Sequence, residues 1–197
     1  MKALLFRQFG GPEVLRYEDV ADPKIGPGEV LVKVRAVALN HLDLWVRNGL
    51  PALQTPLPFW TGSDVAGDVV EVGAGVEGVK VGDRVAVNPN LTCGRCEYCL
   101  QGEDPLCDSF GIIGEHRVGG LAEYVAVDGR NVLRLPDHIG YEAAAAFILV
   151  NMTAWRMLLT QAVLRPGEDL LILGVGGGVS SAAVGIGKLC GARVWVT

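Results

Sequence analysis

Four of the chain's five cysteines fall within residues 93–107, as Cys93, Cys96, Cys99 and Cys107, spaced C-x2-C-x2-C-x7-C. A loop of this spacing can wrap four thiolates around one tetrahedral ion. Zn(II) suits the set, because it tolerates the geometry and is not redox-active. Four thiolates leave no position for water, so the zinc is expected to be structural. Two other uses of the same cysteines stand beside this one. Disulfides belong to small secreted domains, whereas this chain has 197 residues, half of them hydrophobic, and can build its own core. An iron–sulfur cluster shares the C-x2-C-x2-C opening, but its bacterial form takes the fourth cysteine after three residues and before proline. Here Cys107 follows after seven and precedes Asp108. Cys190 stands alone in a predicted helix and reads as core.

The cysteine loop lies inside a segment of short Val-rich runs separated by glycine and proline turns. In Glu29–Leu39, Val30, Val32, Val34, Ala36 and Ala38 share one face, with Lys33 and Arg35 on the other, the pattern of a half-buried strand. Similar runs occupy 2–6, 68–72, 84–87 and 123–127, with turn clusters at 26–28, 73–75 and 88–90. Residues 1–135 therefore read as a mostly β domain, closed or partly closed into a barrel, with a zinc lobe at 90–110.

After Pro136 the pattern changes. The Ala-rich run 140–148 reads as helix, and Asn151 reads as the N-cap of a second helix, with Met152, Trp155, Leu158, Leu159 and Ala162 at helical spacing and Pro166-Gly167 as its stop. Residues 136–166 thus form a helical connector. Residues 167–197 read as strand (170–173), glycine loop (174–178), helix (179–190, closed by Gly191) and strand (193–196). That is the opening of a βαβ unit, and one such unit cannot cover its own sheet. The expected architecture is α+β followed by the start of a doubly wound α/β sheet.

The loop Gly174-Val175-Gly176-Gly177-Gly178-Val179-Ser180 sits between a strand and a helix, the context that a dinucleotide fingerprint requires. Glycine permits the tight turn and the close approach of backbone to a pyrophosphate at the helix N-terminus. Gly174, Gly177, Gly178, Val179 and Ser180 are the candidate contacts to NAD or NADP. The alternative is a plain flexible turn. A P-loop is excluded, because Gly187-Lys188 is followed by Leu189 inside the helix, and a nucleophile elbow at 178–182 has no histidine after it. The residue that selects NAD or NADP would lie at or past the end of the second strand, outside this sequence.

With 17 Lys and Arg against 22 Asp and Glu, the net charge is −5 and no basic run exists, so neither nucleic acid nor an anionic membrane is an expected partner. The longest apolar run, Ala143–Val150, is far short of the ~20 residues needed to span a bilayer. No signal-peptide core follows Met1, and a cytoplasmic location is the default expectation.

Taken together, the four-cysteine lobe, Gly62-Ser63-Asp64-x-x-Gly67, the 73–75 and 81–85 turns, Gly119-Gly120-x-Ala122-Glu123-Tyr124 and the glycine loop resemble the medium-chain dehydrogenase/reductase superfamily, which includes zinc alcohol dehydrogenases and quinone oxidoreductases. The resemblance runs over the whole chain. It implies a GroES-like catalytic barrel and a Rossmann cofactor domain, with the active site in the cleft between them, and a full-length member that continues well past residue 197. Its zinc-dependent members hold a catalytic metal with a Cys at the position of Asn40, a His at Ser63, a Glu at Asp64 and a Cys close to Leu149. None of these is kept in kind, and the Ser or Thr that begins the family's proton relay is Leu42. The stretch Asn40-His41-Leu42-Asp43 looks like the quinone oxidoreductase branch, although that branch often has Tyr at Trp45 and Gln at Gly185.

Without a metal, stabilisation of a developing oxyanion must come from hydrogen bonds, which favours small-molecule substrates already activated towards hydride: quinones and α,β-unsaturated ketones or aldehydes. The expectation is hydride transfer from a reduced nicotinamide, with the Asn40 amide polarising or orienting the carbonyl and with Ser63 and Asp64 lining the cleft. A purely structural Asn40, capping the turn after the strand, is the alternative. The resemblance places His41 at a cofactor phosphate and Thr153 near the nicotinamide, while surface and capping roles would also explain them. His116 and His138 read as surface residues. Two other classes stay open: a zinc alcohol dehydrogenase with the unorthodox ligands His41, Asp43 and Asp64, and a non-catalytic zinc-containing interaction module. The unfinished parallel sheet exposes apolar edges, so a homo-oligomer, most simply a dimer, is expected through 170–197.

Overall fold

The computed structural model describes residues 1–51 and 53–197, in two units, Met1–Ala146 and Phe147–Thr197. In the first unit, β1 (Lys2–Phe6) pairs antiparallel with β2 (Leu15–Asp19). The main element is an antiparallel sheet of five strands: β3 (Glu29–Ala38), β4 (Asp64–Val72), β5 (Arg84–Val87), β8 (Tyr124–Asp128) and β9 (Val132–Arg134), in the order β8-β3-β4-β5-β9. Between them the short pair β6 (Asn90–Leu91) and β7 (Gly111–Ile112) forms the base from which the cysteine lobe projects. β1 also bridges Ala122 and Phe59, which helps close the sheet into the GroES-like barrel. The barrel core is Val-rich, from Val30, Val32, Val65, Val69, Val85, Val87 and Val127, because β-branched side chains pack well on a pleated surface.

β3 follows its expected alternation only in part. Val30 and Val32 are fully buried, but the register against β4 shifts at Leu31/Val32 and again at Val34/Ala36, leaving Val34, Ala36 and Ala38 half-buried. Such bulges bend a strand and increase its twist. Arg35 lies at the second one, where its Nε donates to Asp68 Oδ2 at 2.6 Å. Strands β2 and β9 have no counterpart in the sequence reading; both are short and partly exposed, so their periodicity is weak.

The connector differs from expectation in one respect. Two helices separated at Asn151 were expected, yet a single helix α3 (Tyr141–Trp155) runs on as a π-helical stretch, Arg156–Gln161. Asn151 does not cap; its Nδ2 donates to the Phe147 carbonyl one turn back. The helix also stops before Pro166, with Val163 in the left-handed region at φ 52°. By length and composition alone this 21-residue helix, mean hydropathy 1.4 in its most apolar window, could cross a bilayer, which the shorter apolar run had not suggested. Ala154 and Leu158 instead bury themselves in the core of the second unit.

In that unit β10 (Asp169–Ile172) and β11 (Arg193–Val196) pair in parallel, joined through α4 (Gly178–Leu189). Ala183 and Ile186 of α4 pack on Ile172, Ala154 and Leu158. This is one βαβ crossover with a small core, and Leu171, Leu173, Trp195 and Val196 remain exposed.

Candidate functional site

The sulfur cluster forms as expected. The Sγ atoms of Cys93, Cys96, Cys99 and Cys107 all lie within 4.8 Å of one another, with Cys93–Cys99 at 3.9 Å and Cys96–Cys99 at 3.4 Å. Four sulfurs around zinc at about 2.3 Å would be separated by about 3.8 Å, so the set fits that ion. Backbone N–H groups point at the sulfurs: Cys96 N to Cys93 Sγ at 3.3 Å and Cys93 N to Cys107 Sγ at 3.4 Å. The backbone N–H groups of Arg95 and Cys96 bring the Cys93 thiol down to about 6, into thiolate form at neutral pH. At Cys96 the Cys99 N–H acts in the same direction, but desolvation and the neighbouring sulfurs outweigh it and push the thiol up to about 11. Gly94 makes the first turn possible: it takes φ 68°, a backbone conformation that residues with side chains rarely adopt. Cys190 is half-buried against the second unit's core, as read.

A second polar centre forms where β3 meets α1 (His41–Asn48). Asn40 is the N-cap of α1 and forms a capping box with Asp43. Asp43 is 6% exposed; its Oδ2 accepts the Asn40 backbone N–H at 2.7 Å and its Oδ1 accepts the Gly62 N–H at 2.7 Å. One carboxylate thus ties the start of α1 to the segment that leads into β4. Asn40 Nδ2 donates to Asp64 Oδ2 at 2.9 Å, with Asp64 1% exposed. Ser63 is fully buried and its Oγ has no hydrogen-bond partner among the described residues. Of the three candidate catalytic residues, Asn40 alone is half-exposed.

The alternative metal set of His41, Asp43 and Asp64 does not assemble among the described residues. Among the described residues, the cysteines alone bring three or more His, Cys, Asp or Glu ligand atoms together. Both oxygens of Asp43 are already engaged by backbone donors. The overlooked signal was Asn-x-x-Asp at 40–43, the spacing of a capping box. His41 is exposed at the start of α1, its ring 6.3 Å from that of Trp45. His116 Nδ1 accepts the Ile112 N–H within a turn, and His138 is exposed.

In the second unit, Gly174, Gly177 and Gly178 are exposed, with Val179 and Ser180 half-buried. Gly174 takes φ 67°, and nothing lies within 4 Å of where a Cβ would sit at Gly174 or Gly176, which leaves room above the backbone. The N-terminus of α4, capped by Gly177, opens at this loop, and Ser181 Oγ donates to the Val175 carbonyl at 2.9 Å. Thr153 Oγ1 donates to the Leu149 carbonyl at 2.9 Å.

A barrel with a four-thiolate lobe, followed by a glycine loop between parallel strands, defines a class of two-domain dehydrogenase folds. The family described as the alcohol dehydrogenase GroES-like domain matches residues 26–137, and the chain belongs to it, within the medium-chain dehydrogenase/reductase superfamily. It is 41% identical over 194 residues to an NAD-dependent alcohol dehydrogenase of Sulfolobus acidocaldarius, an alignment covering 95% of this chain and 55% of that protein. Among solved structures it resembles an NAD-dependent alcohol dehydrogenase at 50% identity and TM-score 0.95, covering all of this chain and 57% of that one. It also resembles a quinone oxidoreductase of Pseudomonas syringae at 32% identity and TM-score 0.79, covering 99% and 52%. The chain spans about half the length of the relatives it matches.

Proposed function

We propose that the protein is a nicotinamide-dependent oxidoreductase that delivers hydride to a quinone or an α,β-unsaturated carbonyl, with a structural zinc on Cys93, Cys96, Cys99 and Cys107. The observation that carries this reading is the donor set at the β3–α1 junction. Asn40 and Ser63 offer an amide and a hydroxyl, and the carboxylate of Asp64 accepts from Asn40. An amide can stabilise charge spread over a conjugated system by hydrogen bonding; it is a poor means of deprotonating a simple alcohol. NAD is the favoured cofactor, since relatives of high identity are described as NAD-dependent.

The residue roles in this reading are those that the family resemblance implies. Gly174, Gly177, Gly178, Val179 and Ser180 receive the pyrophosphate at the α4 N-terminus, His41 takes a cofactor phosphate, and Thr153 lies by the nicotinamide. A reduced nicotinamide bound there supplies the hydride. Asn40 Nδ2 donates to the substrate oxygen and stabilises it as negative charge develops. The four thiolates hold zinc as a cross-link for residues 93–107, whose only helices are short.

A second reading, a zinc alcohol dehydrogenase, is favoured by the alcohol dehydrogenase names of the relatives. The full-length enzyme, purified without added metal, separates the two. About one zinc per chain, lost in the double variant Cys96→Ser/Cys99→Ser, together with NADH-dependent reduction of a quinone or enone, supports the proposal. About two zincs, the second surviving those replacements, with oxidation of simple alcohols, restores the alcohol dehydrogenase. Iron with visible absorbance removes the zinc assignment itself.

A further inference from the structure

The Asn40 side chain has a limited hydrogen-bonding capacity: one carbonyl oxygen that accepts and two N–H groups that donate. An amide can be turned end for end at little steric cost, so which end faces a ligand depends on what fixes it. Here two neighbours act on it. In the capping box the side chain faces the backbone N–H of Asp43, which requires Oδ1 on that side. Asp64 Oδ2, 2.9 Å away, accepts from Nδ2. With Asp64 almost wholly buried, a reversed amide would set oxygen against oxygen in a poorly solvated place. The Asp64 bond selects the rotamer, and the capping-box geometry agrees with it. One N–H is committed to Asp64, Oδ1 faces the start of α1, where the Asp43 N–H donates to the Asn40 backbone carbonyl at 3.0 Å, and the second N–H of a half-exposed residue remains.

We propose that Asp64 is a positioning residue: by accepting one Nδ2–H of Asn40 it locks the amide so that the other N–H is a donor on the half-exposed side of the junction, where the fully buried Ser63 hydroxyl is not, which makes the site selective for a hydrogen-bond-accepting oxygen such as a quinone or enone carbonyl. The proposal rests on the hydride-transfer role assigned to Asn40. It gives the family position of Asp64 a different task from metal ligation: Asp64 acts through Asn40. It also states what matters about Asp64, namely an acceptor at that place rather than a negative charge.

The test compares Asp64→Asn, which keeps an acceptor and removes the charge, with Asp64→Ala, which removes both. Two readouts are taken on the full-length enzyme: steady-state kinetics with NADH and a water-soluble quinone, and the side-chain amide signals of Asn40 in 15N-asparagine-labelled protein, assigned by their loss in Asn40→Asp. D64A is expected to lower kcat about 10- to 100-fold, the scale of a misplaced catalytic group, with KM for NADH unchanged, and to collapse the separation of the two Asn40 amide protons. D64N is expected to remain within about 3-fold of the parent in kcat and to keep that separation, as an amide fixed by a surviving acceptor would. Equal loss in D64N and D64A would show that charge or ligation matters, and would overturn the proposal. So would unchanged amide signals and kcat in D64A. Should D64A fail to fold, D64N alone decides, a loss above about 30-fold being the overturning result. A parent enzyme that reduces no quinone or enone defeats the hydride-transfer reading, while the amide signals still report on whether Asp64 fixes Asn40.

Discussion

The two units of this chain solve the same problem to different degrees. In the barrel, buried valines from five strands close on one another and each buried carboxylate near the β3–α1 junction meets a named donor: Asp43 takes two backbone N–H groups and Asp64 takes the Asn40 amide. In the βαβ unit the core gathers around Ala154, Leu158, Ile172, Ala183 and Ile186, while Leu171, Leu173, Leu189, Trp195 and Val196 lie at least half exposed. The difference follows from topology. An antiparallel sheet that curls on itself can bury one face with its own strands, whereas a parallel pair needs further strands and helices on both faces. The first unit thus buries its apolar face with its own strands, whereas the described strands of the second leave apolar side chains exposed.

Removing the metal site should have the largest effect, and only on the barrel side. Structural zinc in small domains binds with an apparent ~10–16 kcal/mol, and residues 93–107 hold only two short helices besides the cysteines. A chelator, or Cys96→Ser with Cys99→Ser, should abolish zinc retention and open the lobe, seen as rapid hydrogen exchange across 93–107 with slow exchange kept at β3 and β4. Slow exchange throughout would mean that the lobe does not depend on metal.

The next pair tests the contrast directly. Phe59 is 1% exposed against Phe6, with ring centroids 6.0 Å apart, so Phe59→Ala should cost about 3–5 kcal/mol in urea unfolding. Trp195 is 60% exposed, and Trp195→Ala should change stability by less than about 0.5 kcal/mol. Its effect should appear in association instead: the 197-residue chain should run as a dimer in light scattering, through the open edges and exposed face of β10–β11, and W195A should shift it towards monomer. A monodisperse parent monomer would remove that expectation.

What could be read from the sequence follows the same division of causes. The strands at 2–6, 84–87 and 193–196 coincide with the structure because alternation or an apolar run bounded by turns is a local signal. The cysteine set was legible because ligand spacing is itself local. The continuity of α3 through Asn151 was not, since an asparagine caps or bonds back to the preceding turn according to where the neighbouring backbone already goes. The junction was half legible. Asn40 could be singled out by its position, but its bond to Asp64, 24 residues away, exists only because β3 and β4 pair with Ala38 opposite Asp64. The clamp from Asp43 to Gly62 depends on the same pairing. Replacing Asp43 by Ala leaves two inward N–H groups without a charged acceptor, and a loss of about 2–4 kcal/mol is expected, with Asp43→Asn intermediate. A loss below about 0.5 kcal/mol would show that water or a shifted backbone replaces the clamp.

The smallest expected effect is one of pH, and it tests whether the barrel's polar contacts extend to the start of α3. Desolvation raises the Asp68 carboxyl, but the Tyr141 hydroxyl and the Arg35 guanidinium outweigh it and hold the group below its usual range. A carboxylate depressed in the folded state contributes stability that is fully present above its unfolded value, near 3.9, and is lost as pH falls through the folded value. Asp68→Asn should therefore be less stable than the parent at pH 7, and the difference should shrink as pH drops below about 4. Since Arg35 is half exposed, salt should weaken the contribution as well. Urea midpoints for parent and D68N from pH 7 to 3, repeated in a Tyr141→Phe background, decide the matter: a difference that shrinks in acid and is smaller in Y141F places α3's first turn in the barrel's electrostatic network, and one that Y141F leaves unchanged assigns it to Arg35 alone.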